Sequence, residues 1–218
     1  MNFSKMTIDE LLLKAGLIIN NSKNDQEILD LVSPFGYNAE KLSNGGVLFS
    51  SVNTLVANQK KEYGEANQAQ DNYEQKKDIA DKSYIIHLKV ARIAFKNNVQ
   101  AQFTLELNGR RASTISGWIQ QTRNFYNSIL ANEDWKAGMA SFGQTEDIMS
   151  KGLAGTEEIS SLYEIVKKEN GEAQNATNER DKKIEELVDW LSDYVEIAKI
   201  ALENKPQLLE KLGIVVKN

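Results

Sequence analysis

The sequence predicts an all-α protein: an elongated helical bundle built by internal duplication, with two long helices packed antiparallel about a pseudo-two-fold axis and short helices at the ends. Three observations carry this. Apolar residues recur at steps of three and four over long stretches, the spacing that puts side chains on one helix face. Sustained alternation of apolar and polar residues, the mark of a half-buried strand, is missing. Finally, sliding the chain along itself by 107 positions aligns it without a gap, with 22 identities gathered in three blocks.

In the first block Phe35-Gly36 falls on Phe142-Gly143, Ser43 on Ser150 and Gly45 on Gly152. KKEYGEANQA from Lys60 then falls on KKENGEAQNA from Lys167, and KVARIAFKN from Lys89 on EIAKIALEN from Glu196. The boundary lies near Asn108-Gly109, a strong turn dipeptide. Residues 1–108 and 109–218 are therefore read as two helical repeats, expected to intertwine as one structural domain.

The first repeat opens with Thr7 as N-cap and Glu10 three residues on, the capping-box spacing, before LLLKAGLII. A second short helix is expected over residues 25–33, stopped by Pro34 and Gly36. Between Val47 and Asn98 there is no proline and one glycine, Gly64. An unbroken helix of about 50 residues would be roughly 75 Å long. The competing arrangement is a hairpin turning at residues 64–72. It is disfavoured because Glu, Ala and Gln there are good helix formers and no proline follows. In the second repeat Thr114 takes the place of Thr7, and a face of Ile115, Trp118, Ile119, Thr122, Phe125, Tyr126 and Ile129 follows. A short helix over 132–140 ends at Phe142-Gly143. A second long helix is expected over 153–205, and Pro206 starts a last short helix closed by Gly213.

Composition excludes several chemistries. The 218 residues include no cysteine and one histidine, which removes disulfides, zinc fingers, a cysteine nucleophile and any site needing two histidines. Net charge is -5, and only five of 26 basic residues are arginine. Nucleic acid is therefore not an expected partner. The apolar stretch near the N-terminus is preceded by Asp9 and Glu10 and interrupted by Lys14, unlike a signal peptide. No run of about 18 uncharged apolar residues offers a transmembrane segment. A cytoplasmic location is expected, with no metal and no cofactor.

Two groups of residues stand out. The first is the twice-used KKExGEA: Lys60, Lys61, Glu62, Gly64, Glu65 and Ala66, then Lys167, Lys168, Glu169, Gly171, Glu172 and Ala173. It reads either as a duplicated interaction surface or as a close helix crossing, with Gly and Ala admitting neighbouring backbone. The second is an aromatic set, Trp118, Phe125, Tyr126 and Trp135, which at helical spacing belongs to a core and could also line a pocket. His87 has no second histidine to work with, and Tyr84 stands where a Glu-x-x-His motif would need its carboxylate. No phosphate loop, nucleophile elbow or paired-carboxylate motif occurs.

The string of FG, KKEYGEA, ARIAF, the LELNGRR turn at Leu105–Arg111 and the later Trp118, Arg123 and Phe125-Tyr126 resembles a group of uncharacterised tandem-repeat helical proteins of bacteria, over nearly the whole chain. The resemblance implies the fold and assigns no chemistry. The function expected is a non-enzymatic helical scaffold or protein-interaction module that works through the outer faces of its long helices and self-associates. The alternative is small-molecule or cofactor binding in a pocket between the aromatic-rich short helices and the long pair. A membrane-active protein is a third reading, disfavoured because no strongly apolar segment could insert.

Overall fold

The computed structural model describes residues 2–214, which form eight α-helices and no strand. They are α1 (Ile8–Asn24), α2 (Gln26–Val32), α3 (Ala39–Ala94), α4 (Val99–Thr104), α5 (Ile115–Leu130), α6 (Glu133–Ala140), α7 (Glu146–Ala201) and α8 (Pro206–Lys211). Each of the last four begins 107 residues after its counterpart among the first four. Met1 and residues 215–218, assigned above to the two repeats, lie outside the described residues.

Local chemistry explains the boundaries. Thr7 Oγ1 accepts from the Glu10 N–H, and the Glu10 carboxylate accepts from the Thr7 N–H at 2.8 Å, so the capping box closes. At the matching place Thr114 accepts from the Gly117 N–H, and with glycine at that third position only half the box can form. Gly36 and Gly143 both adopt left-handed backbone, at φ 87° and 76°, a conformation that costs glycine little.

The long helices are unbroken, 56 residues each, and no hairpin forms at residues 64–72. They start earlier than expected, at Ala39 and Glu146, and run through Gly45 and Gly152. The cap lies upstream of these glycines: the Asn38 side chain accepts from the Lys41 N–H at 2.9 Å. The first long helix also ends sooner, at Ala94, because Asn98 is the N-cap of α4 and accepts from the Ala101 N–H.

The chain divides into two compact units. The first comprises residues up to Tyr63 and those from Glu172 onward; the second is Gly64–Gly171. Each unit therefore draws on both halves of the sequence, and each holds a segment of α3 beside a segment of α7. Within each, numbering rises along α3 as it falls along α7, so the segments are antiparallel. In the first unit Gln59 meets Thr177 at 3.4 Å and Gly45 lies beneath Trp190. In the second, the Tyr73 and Tyr163 rings lie 6.0 Å apart and Lys76 pairs with Glu158 at 2.8 Å.

The core of the first unit gathers Ile18 and Ile19 of α1, Ile28 of α2, Leu42 of α3 and Leu187, Leu191 and Tyr194 of α7. That of the second gathers Tyr84 and Leu88 of α3, Phe125, Tyr126 and Ile129 of α5, Met139 of α6 and Met149 of α7. Burying such side chains stabilises by about 1.5–3 kcal/mol each. Arg123 also forks onto Glu157 through two 2.7 Å hydrogen bonds, tying α5 to α7. Among the described residues no helix is long and apolar enough to cross a membrane.

Candidate functional site

The KKExGEA residues lie on exposed and half-buried turns of the long helices. Lys61 pairs with the adjacent Glu62 at 3.4 Å and Lys168 with Glu169 at 3.1 Å; both glutamates are 17% exposed. Lys60 and Lys167 are exposed, and Lys167 reaches the Tyr163 ring. The close crossing expected of the glycines does not occur at them. A Cβ on Gly64 or Gly171 would meet nothing within 4 Å among the described residues. The buried small residues of the motif are Ala66 and Ala173, while Glu65 is exposed and Glu172 half-buried.

The four aromatics are all buried, but they do not share one pocket. Phe125 is core, and Trp135 packs against Phe95 at 6.2 Å. Trp118 and Tyr126 each reach a separate cavity of the second unit.

The Tyr126 cavity holds about 300 Å³, at the lower end of the range of ligand pockets. Helix α3 contributes Lys76, Ile79, Ala80, Ser83 and His87; α5 contributes Tyr126; and α7 contributes Ile148, Lys151, Gly152, Gly155 and Glu158. The only histidine of the chain is buried here, with Nδ1 2.9 Å from the Tyr126 hydroxyl. Burial lowers the pKa of His87, so the imidazole is neutral near pH 7, and burial raises that of Tyr126, which keeps its proton. The Tyr126 ring lies directly over Gly152, where any Cβ would collide with it. Lys76 pairs with Glu158, and Lys151 with Asp147 at 2.6 Å.

A second cavity, of about 400 Å³, is built around Asp81. Its carboxylate accepts from Trp118 Nε1 at 2.7 Å and from Arg111 at 3.0 and 3.1 Å. Lys77 lies 3.7 Å from the same carboxylate and 3.8 Å from the Trp118 ring centre, a cation–π contact. Burial opposes ionisation of Asp81, but the indole N–H and the charges of Lys77 and Arg111 outweigh it, and its pKa falls below the usual carboxylate value. Among the described residues no three His, Asp or Glu side chains gather as a metal site.

Residues 107 positions apart give each feature a counterpart in the first unit. Lys77, Asp81 and Trp118 correspond to Ile184, Val188 and Leu11, so the Asp81 network has only apolar counterparts at these three positions. Around the Tyr126 cavity, Ala80, Ser83, His87 and Gly155 correspond to Leu187, Trp190, Tyr194 and Leu48. All four are smaller in the second unit; Tyr126, Lys151 and Glu158, against Ile19, Asn44 and Ser51, are larger and restore part of the volume. Elsewhere in the core such exchanges balance: the Phe95 ring covers Gly138, and their counterparts are Leu202 and Leu31. Ser83, Ala80 and Gly155 were not singled out from sequence, although their size differences are visible in the 107-residue alignment.

No protein-family model matches the chain, and no curated protein or solved structure does. Fold and site define the class on their own: an all-α, two-unit helical protein with a cavity of about 810 Å³ in the first unit and the Tyr126 and Asp81 cavities in the second.

Proposed function

We propose that the protein is a non-catalytic binding protein whose second unit takes a small molecule in the cavity between α3, α5 and α7. The chain is read as a duplication in which Leu187, Trp190, Tyr194 and Leu48 of the first unit are replaced by smaller residues in the second; the first unit has its own cavity, of about 810 Å³, along α1 and α3, which none of these four residues lines. One observation carries the proposal: the four cavity-lining positions at which the second unit holds the smaller residue. Close packing is the rule in protein interiors, and unfilled volume costs stability. A mainly apolar cavity with a few polar groups, retained at that cost, is a site for an occupant. Ligand-observed NMR with a set of aromatic and aliphatic fragments tests this on the full chain. Binding lost in the Ala80→Leu/Gly155→Leu double variant supports it; fragment binding unchanged by that variant, or no binding, removes it.

A second reading, self-association through an outer helix face, is favoured by Ile79, Ile86 and Ile93. They stand seven residues apart on α3 and are 62%, 56% and 58% exposed. Seven-residue spacing is the repeat of a helix–helix seam. Sedimentation velocity on the wild type and Ile86→Glu tests it; a monomer at every concentration removes this reading.

A further inference from the structure

Building on the binding function above, we propose that the occupant of the cavity is a planar aromatic carboxylate about the size of an indole ring system. The first unit shows what the equivalent space holds. There Trp190 reaches from α7 across to α3, its six-membered ring lying over Gly45 so closely that a Cβ would collide with it. The same indole stacks on Tyr194, with centroids 5.4 Å apart and planes 22° from parallel. The counterparts of Trp190, Gly45 and Tyr194 are Ser83, Gly152 and His87, and all three line the cavity. The second unit thus keeps the glycine and a flat ring, and has the Tyr126 ring over the glycine in place of the indole.

Tyr126 takes the position over Gly152, so a bound ring cannot sit as deep as Trp190 does. The room lost there is returned along α7, where Gly155 replaces Leu48, and along α3, where Ala80 replaces Leu187. His87, which lines the cavity, stands at the position from which Tyr194 stacks on Trp190. Among the described residues Trp190 Nε1 is buried without a hydrogen-bond partner. The space in the first unit therefore selects a flat shape rather than a ring nitrogen, and a naphthalene should serve as well as an indole.

The carboxylate follows from the polar groups. Ser83 and His87 offer polar groups, and Lys76 and Lys151 bring two ammonium groups to the lining, paired with Glu158 and with Asp147 beside it. Both lysine side chains are substantially exposed, at 45% and 76%, so they can swing from their present partners onto an anion.

Isothermal titration of the 218-residue chain with indole-3-carboxylate, 2-naphthoate and cyclohexanecarboxylate tests this. The expected result is one site per chain for the two aromatic acids and binding at least about tenfold weaker for the saturated ring. Ser83→Trp and Ala80→Leu should each weaken the aromatic acids by about tenfold or more, with helicity by circular dichroism confirming that the variants fold. Should cyclohexanecarboxylate bind as tightly and respond to the same variants, the cavity still binds but the planar-ring assignment is overturned. Should neither variant affect any of the three acids, or should none of them bind, the aromatic carboxylate assignment fails, and the fragment experiment above then decides whether the cavity binds anything.

Discussion

The Tyr126 hydroxyl lies 2.9 Å from Nδ1 of His87, joining α5 to α3 at the floor of the cavity. At the counterpart of His87, Tyr194 donates its own hydroxyl to Ser22 at 2.5 Å, joining α7 to α1. Each unit thus ties a long helix to the first short helix beside it through one buried polar pair, and only the second pair contains a group that titrates near neutrality.

That difference has a pH consequence. Burial depresses the folded-state pKa of His87 below its ordinary 6.5. Between the two values the unfolded chain binds more protons, so stability is full above pH 6.5 and is lost as pH falls through the folded pKa. The charged groups lining the same cavity are Lys76, Lys151 and Glu158, and each belongs to an ion pair. Urea midpoints should fall between about pH 7.5 and about pH 5.5 in the wild type. In His87→Phe they should be flatter, after a loss of about 1 kcal/mol at the higher pH from the unpaired Tyr126 hydroxyl.

Glycines at four helical positions should divide by sign. Gly45→Ala and Gly152→Ala would drive a methyl into the Trp190 and Tyr126 rings and should cost about 1–3 kcal/mol each. Gly64→Ala and Gly171→Ala meet open space within a helix and should stabilise by about 0.5–1 kcal/mol. Thermal melts of the four single variants distinguish them. Stabilisation at Gly152, or a loss at Gly64, would contradict the packing described.

Asp81 should be more costly to lose than an ordinary surface carboxylate. Asp81→Ala strands the Trp118 indole N–H and separates Arg111 and Lys77 from their shared partner, for an expected loss of about 1–3 kcal/mol. Asp81→Asn keeps an oxygen for Trp118 and should lose less. Urea denaturation of both variants, in low and high salt, measures the difference, and the part due to Arg111 should shrink as salt rises.

Much of the fold was legible because helices announce themselves locally. The Thr7–Glu10 cap, the stop at Phe35-Gly36 and the apolar steps of three and four, which in α3 bury Tyr84, Leu88, Ala91 and Phe95, are all present in the structure. Long-helix starts were misplaced because Gly45 and Gly152 look like breakers in sequence. In the structure they are flat beds for rings that come from other helices. The cavity was not legible from any single segment. Its lining combines α3, α5 and α7, and His87 appeared unpartnered because Tyr126 is 39 residues away. The aromatic set pointed to the right unit, yet Phe125 and Trp135 proved to be core.

The central claim is that Trp190, with Leu187 and Leu48, fills in the first unit space that Ser83, Ala80 and Gly155 leave open in the second, beside the Tyr126 ring. Trp190→Ser should open that space, at a cost of about 3–5 kcal/mol, the loss typical of truncating a packed tryptophan. The deciding measurement is the melting temperature of Trp190→Ser and of the wild type, each with and without indole. The account predicts a larger indole-induced rise in the variant, which would then offer a space for the ring in both units. An equal rise in the two proteins, or none in the variant, would contradict it.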